Sequence, residues 1–202
     1  MKNENLEKLI IKNHAKISAD KKWAILLTPP EDGKKPLVKQ LHFGGGTPTF
    51  LQDNELIQLW EFLQTQLEFL PEDQGAYSLV LSPRELGDET LTVLRNLVFN
   101  RVSLGVQDLD EKVQIAVNRI NSAELIENVL AEARRLGFHS TNVDLIYGLP
   151  HQTPTTLDKT VRRVIEMSPD RLSVFNYAHL PERFKSQRQI KEEDLPTPAA
   201  KL

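Results

Sequence analysis

The sequence predicts an α/β fold built on a parallel sheet of about five strands. Three observations predict it. Short apolar runs alternate with helix-patterned stretches about five times, at a spacing of about 30 residues, the length of a βαβ unit. The runs are nearly continuous rather than strictly alternating, as in strands covered on both faces. Most of them end in Gly, Pro or polar residues, where a strand gives way to a loop. An open doubly wound sheet and a partial barrel both satisfy this pattern.

In chain order, residues 1–36 are irregular, with a short helix expected over Asn5 to Ile17 and a buried strand or helix segment over Trp23 to Thr28. Pro29-Pro30 and Asp32-Gly33 then break the chain. LVKQLHF (Leu37 to Phe43) is a strand ended by Gly44-Gly45-Gly46. A helix follows from an Asp53 or Asn54 cap to about Phe69, since Leu56, Leu59, Trp60 and Leu63 fall on one face. YSLVLS (Tyr77 to Ser82) is a strand stopped by Pro83, and a helix runs from Asp88 or Glu89 to Leu97. RVSLGV (Arg101 to Val106) is a strand, followed by helices over Glu111 to Arg119 and Ser122 to Leu136, the second stopped by Gly137. TNVDLIYG (Thr141 to Gly148) is a strand, Thr155 to Met167 a helix, and RLSVFNYA (Arg171 to Ala178) the last strand.

The chain has 202 residues, 40% hydrophobic and 26% charged, enough for one ordinary core. A formal net charge of -3 gives no electrostatic case for a nucleic-acid or membrane partner. Met1 to Asp20 is polar and Lys-rich, without the apolar core of a secretory signal, and no apolar run approaches the roughly 18 residues of a span. A cytoplasmic protein is expected. Cysteine is absent, which excludes disulfides, a thiolate nucleophile and thiolate-held metal or iron–sulfur centres on these residues.

In parallel α/β folds ligands sit at the carboxyl ends of the strands. There stand Gly44, Gly45, Gly46 and Thr47, whose bare backbone N–H groups admit polar ligand atoms, although a tight strand-to-helix turn explains them as well. No Lys-Ser/Thr follows, so this is not a P-loop. Gln107 offers a donor and an acceptor, with Asp108 beside it, and both equally suit a polar loop or helix cap. Arg119 reads as a mid-helix residue, a position where arginine is usually solvated. Asp144 is the most informative: a carboxylate between Val143 and Leu145 needs a partner, such as an Arg or a backbone N–H, or a polar cavity. Asn176, Tyr177 and His179 crowd the end of the last strand.

Taken together, HFGGGTPTFL, RVSLGVQD, VNRIN, TNVDLIYGLPHQTP and PDRLSVFNYAHLPERF resemble, in order and spacing, the oxygen-independent coproporphyrinogen III oxidases over Leu37 to Leu202. The resemblance implies an incomplete radical S-adenosylmethionine (SAM) type (β/α) barrel over residues 37–202 and a divergent segment over 1–36. It implies an enzyme of heme and porphyrin biosynthesis that oxidatively decarboxylates coproporphyrinogen III to protoporphyrinogen IX, using two SAM molecules and a 4Fe–4S cluster on a CxxxCxxC loop. By position, Gly45 resembles a contact to the first SAM, and Gly46, Thr47, Gln107, Arg119, Asp144 and Ala178 contacts to the second. No residue here is assigned a catalytic or metal-ligating role.

Three departures qualify that reading. The CxxxCxxC segment is missing, and no cysteine stands in for it. The family's IEVDPRE strand reads LVLSPRE, with Val80 in place of a SAM-binding glutamate and Ser82 in place of an aspartate. The family's C-terminal domain is not represented, so the chain is expected to be a truncated form. It is expected to lack activity alone. The alternatives are a non-catalytic SAM- or heme-binding remnant, with His14, His42, His139, His151 and His179 as axial-ligand candidates, or one part of a split enzyme. An unfinished sheet has open edges, which predicts self-association.

Overall fold

The computed structural model describes residues 15–17, 24–26, 34–44, 48, 51–71 and 73–200. Two short strands, β1 (Ala15–Ile17) and β2 (Ala24–Leu26), pair antiparallel. The expected helix over Asn5 to Ile17 is therefore wrong at its end, and its other residues, 5–14, lie outside the described ones. A short isolated helix is marginal in water, whereas the apolar run after it offers a pairing partner.

Strands β3 (Leu37–Val38) and β4 (Gln40–Phe43) replace the single strand expected over 37–43, with a bend at Lys39 between them. Helix α1 (Asp53–Gln66) follows. Its cap is Gln52, not Asp53 or Asn54: the Gln52 N–H donates to Glu55 Oε2 at 3.0 Å. Asp53 instead accepts from the Thr90 hydroxyl at 2.8 Å. The helix stops short of Phe69 because β5 (Glu68–Phe69) pairs in parallel with β3. Then come β6 (Ala76–Leu81), α2 (Thr90–Asn96), β7 (Arg101–Gln107), α3 (Glu111–Ala116), α4 (Ala123–Arg135), β8 (Ser140–Tyr147), α5 (Pro154–Glu166) and β9 (Arg171–Asn176).

The main sheet has five parallel strands in the order β4-β6-β7-β8-β9. Each new strand adds to the same side, without the reversal of order that defines a doubly wound sheet. Such a sheet curls into a barrel; here it is an open part of one.

One face carries the core. Leu41, Phe43, Tyr77, Leu79, Leu81, Val102, Leu104, Val106, Val143 and Leu145 are buried against α-helical Leu56, Trp60, Leu63, Leu94, Ile126, Leu130 and Val164. Trp60 anchors an aromatic group, 4.3 Å from the Phe69 ring centroid and 5.8 Å from that of Phe99. The other face is not the continuation of an apolar run. It presents His42, Ser78, Val80, Ser103, Gly105, Asn142, Asp144 and Ser173, brought into rows by the parallel register. The strands thus alternate, where their sequences read as nearly continuous apolar runs. The physical reason is that helices cover only one side, while the inner side of this open barrel wall carries polar and small residues as well.

Candidate functional site at the carboxyl ends of the strands

Of the seven expected ligand contacts, Gly45, Gly46 and Thr47 lie outside the described residues. The remaining four are Gln107, Arg119, Asp144 and Ala178.

Gln107 ends β7 after an irregularity between Gly105 and Gln107, and its φ of 70° places it in the left-handed region. A bulge of this kind re-aims a side chain, and a non-glycine residue holds such a φ only where its surroundings impose it. The Gln107 side chain lies back over Gly105: a Cβ on Gly105 would stand 3.1 Å from Gln107 Nε2 and 3.2 Å from Arg119 Nη1. Among the described residues Gln107 Oε1 is buried without a hydrogen-bond partner. A buried acceptor without a partner is a group that a donor on a ligand would satisfy.

Arg119 is not in a helix, contrary to the expectation. Helix α3 stops at Ala116, and Asn118 turns the chain with a φ of 53°. The buried Gln114 imposes this: its Nε2 donates to the carbonyls of Asp108 and Asn121, both at 2.9 Å, and its Oε1 accepts from Asn121 N at 3.3 Å. With the Arg119 N–H also bound to the Gln114 carbonyl at 2.9 Å, the guanidinium is carried back over the sheet.

Asp144 lies beside Gly105 in the β7–β8 register. Among the described residues its hydrogen-bond partners are neither an Arg nor a backbone N–H. Ser103 Oγ donates to Oδ2 at 2.9 Å and Asn142 Nδ2 to Oδ1 at 2.7 Å. The residue is only partly buried, so its carboxylate also faces the open side. Gln107, Arg119 and Asp144, 12 to 37 positions apart in sequence, thus surround Gly105.

Ala178 stands just past β9 and is exposed, its carbonyl accepting from Gln187 Nε2 at 3.0 Å. Nothing among the described residues joins it to the other three. Tyr177 beside it bonds His179 Nδ1 at 3.0 Å, and burial pushes the Tyr177 phenol above its ordinary range, so it stays protonated. Val80 lies on the inner face in the row of Ser103, an apolar side chain beside polar ones.

Asp108 has a structural task. It is 1% exposed and accepts from Thr160 Oγ1 at 2.5 Å, Gln152 Nε2 at 2.5 Å and Asp110 N at 2.8 Å. Gln152 in turn accepts from Gly148 N at 2.6 Å, which ties the loop after β7 to the loop after β8. Asp110, not Asp108, caps α3. The described histidines are engaged separately: His42 with Ser78 at 2.8 Å, His139 with Asp73 at 3.0 Å, His151 near Asp194 at 3.7 Å and His179 with Tyr177.

Sequence reading missed Ser103, Asn142, Ser173 and Gly105. The available signal was polar or small residues two apart inside apolar runs, as in Asn142–Asp144 and Ser103–Gly105, which marks one face of a strand.

A parallel sheet with its core on one face and polar groups gathered at its carboxyl end defines an α/β half-barrel. The chain belongs to the radical SAM superfamily, whose sequence model matches residues 31–164. Within it, the chain is 54% identical over 169 residues to the oxygen-independent coproporphyrinogen III oxidase of Pseudomonas aeruginosa, covering 84% of this chain and 37% of that protein. It is 50% identical over 165 residues to the Escherichia coli enzyme of the same name, covering 82% of this chain and 36% of that protein. The solved structure of the coproporphyrinogen III oxidase from Escherichia coli, described as a radical SAM enzyme, superposes with a TM-score of 0.78 at 49% identity, over 82% of this chain and 38% of that one. The chain thus spans less than two fifths of the length of these relatives.

The superfamily uses SAM and a 4Fe–4S cluster, and the two fit these residues differently. The cluster does not fit: it needs thiolates, and the 202 residues include no cysteine. Among the described residues no group of three His, Asp or Glu could hold a metal ion. SAM does fit, because Gln107 Oε1 lacks a donor, Arg119 is a cation and Asp144 an acceptor at one mouth. No helix among the described residues is long and apolar enough to cross a membrane.

Proposed function

We propose that this chain is the SAM-binding wall of a coproporphyrinogen III oxidase-type protein of heme biosynthesis, acting in the cytoplasm, and that by itself it binds SAM without cleaving it. The observation that carries this is the convergence of Gln107, Arg119 and Asp144 around Gly105 at the carboxyl end of the sheet. SAM brings to such a site an ammonium, a carboxylate, ribose hydroxyls and a sulfonium. Arg119 suits the carboxylate, and Gln107 Oε1 and Asp144 suit hydroxyl or ammonium donors. Gly45, Gly46 and Thr47 complete the cradle in this reading, with Ala178 closing it past β9. Ile146 and Phe175, register partners on the inner face, offer apolar surface for the adenine. The residues behave as a partial barrel over 37–202, with 1–36 as a separate segment.

No step of radical initiation is assigned to these residues, since they supply no cluster ligand. Anaerobic reconstitution followed by iron and sulfide analysis, calorimetric titration with SAM and an assay for 5′-deoxyadenosine test the reading. The expected result is SAM binding with neither a cluster nor deoxyadenosine. A stoichiometric cluster or an absence of SAM binding would refute it. The outer face of the edge strand β9 leaves Leu172 38% and Val174 51% exposed. We infer that copies of the chain associate along this edge; a strictly monomeric sedimentation profile would count against that.

A further inference from the structure

The carboxylate of Asp144 is held by a side-chain network whose centre is Asn142. Asn142 is 6% exposed although it lies on the inner face. Its Nδ2 donates to Asp144 Oδ1 at 2.7 Å and to Ser103 Oγ at 2.8 Å. Its Oδ1 accepts from Ser173 Oγ at 3.1 Å. Ser103 passes the bond on, donating to Asp144 Oδ2 at 2.9 Å. Both amide hydrogens are used, and each carboxylate oxygen receives one donor from the sheet. The orientation of the amide follows from its partners: reversed, Oδ1 would face a carboxylate oxygen. The network spans β7, β8 and β9 and ends at Asp144, beside the place where Gln107 and Arg119 meet.

We propose that Asn142, backed by Ser103 and Ser173, is a positioning residue that holds Asp144 with its remaining lone pairs turned to a hydroxyl or ammonium donor of the bound ligand. This rests on the SAM-binding reading above. Packing alone does not require such a device, because two serines, an asparagine and an aspartate on three strands exceed what an apolar wall would need. Both oxygens of Asp144 are fixed before any ligand arrives, which lowers the ordering cost of binding. The charged groups nearest on this face are Arg171, in the row of Asn142, Arg101 one row below and Arg119 at the mouth, with His42 on the far strand β4.

The test is SAM titration of the purified chain by calorimetry between pH 6 and about 8.5, with thermal melts as a folding control. Asp144→Asn is expected to lose most of the affinity. Asn142→Ala is expected to weaken binding by about tenfold or more while still melting cooperatively. Asn142→Asp sets two carboxylates within hydrogen-bond distance, which cannot both stay ionised, so its affinity should rise as pH falls, more steeply than that of the wild type. Should Asn142→Ala fail to fold, Ser103→Ala reports on the same network through the loss of one hydroxyl. If the Asn142 variants bind like the wild type at every pH while Asp144→Asn does not, the positioning role is overturned and the SAM reading stands. If Asp144→Asn binds normally, Asp144 is no ligand and the proposal fails. If the wild type itself takes up no SAM, the functional reading falls, and the proposal with it.

Discussion

At Gly105 the missing side chain matters because of what fills its place. Its backbone is ordinary strand, yet the ends of Gln107 and Arg119 lie 3.1 and 3.2 Å from where a Cβ would stand. Gly105→Ala should therefore leave stability unchanged within about 0.5 kcal/mol, since the chain entropy it removes favours folding. It should push Gln107 and Arg119 apart and weaken SAM binding about tenfold, read by titration beside a melt. Asp144 makes a related point about legibility. That a carboxylate in an apolar strand must be satisfied was readable from its neighbours Val143 and Leu145. That Ser103 and Asn142 satisfy it was not, because Ser103 lies 41 positions away in sequence and only the β7–β8 register brings it alongside.

At the scale of elements, local rules served best where ends are set by local chemistry. Ser122 Oγ accepts from Leu125 N at 3.0 Å at the start of α4, and Gly137 ends that helix with a φ of 78°. Beyond its own chain neighbours, no atom of the described residues lies within 4 Å of a Cβ built on Gly137, so only its backbone conformation calls for glycine. Gly137→Ala is expected to cost about 1 kcal/mol in chemical denaturation without touching the ligand site, the reverse of Gly105→Ala. The boundaries that were misplaced are those set by distant partners. Helix α1 yields to β5 because Leu37 and Val38 pair with Glu68 and Phe69. Helix α3 yields at Ala116 because Gln114 bonds the carbonyls of Asp108 and Asn121. Neither partner is visible in a window of local sequence.

Across the whole molecule, the two ends of the sheet have different tasks. The carboxyl end gathers Gln107, Arg119 and Asp144, and the amino end is tied by carboxylates. Burial pushes Asp73 upward, but hydrogen bonds from Arg95 at 2.7 Å and Asn100 at 3.3 Å, with the charges of Arg95 and His139, outweigh it and leave its carboxyl below the usual range. Asp170 is lowered by the backbone N–H and hydroxyl of Thr141, at 2.7 and 2.8 Å, against a smaller opposing effect of burial. Carboxylates lowered in the folded state bind fewer protons there than in the unfolded chain. Their contribution is therefore complete at neutral pH and lost as pH falls from the ordinary aspartate range through the lowered folded values. Asp73→Asn should cost about 1–2 kcal/mol at pH 7 and flatten the acid limb of a plot of melting temperature against pH.

By itself the sequence determined the class of fold, the succession of strands and helices, the phrases shared with coproporphyrinogen III oxidases, and the absence of any thiolate to hold a cluster. These follow from residue type, short-range periodicity and composition, which need no knowledge of what lies across the sheet. Only the tertiary structure decided that the sheet is a one-sided part of a barrel, that its inner wall mixes polar residues with a few apolar ones, and that Gln107, Arg119 and Asp144 meet around Gly105 beside a network centred at Asn142. Those depend on which strands become neighbours and in what register, and a shift of one residue would turn each of these side chains to the opposite face.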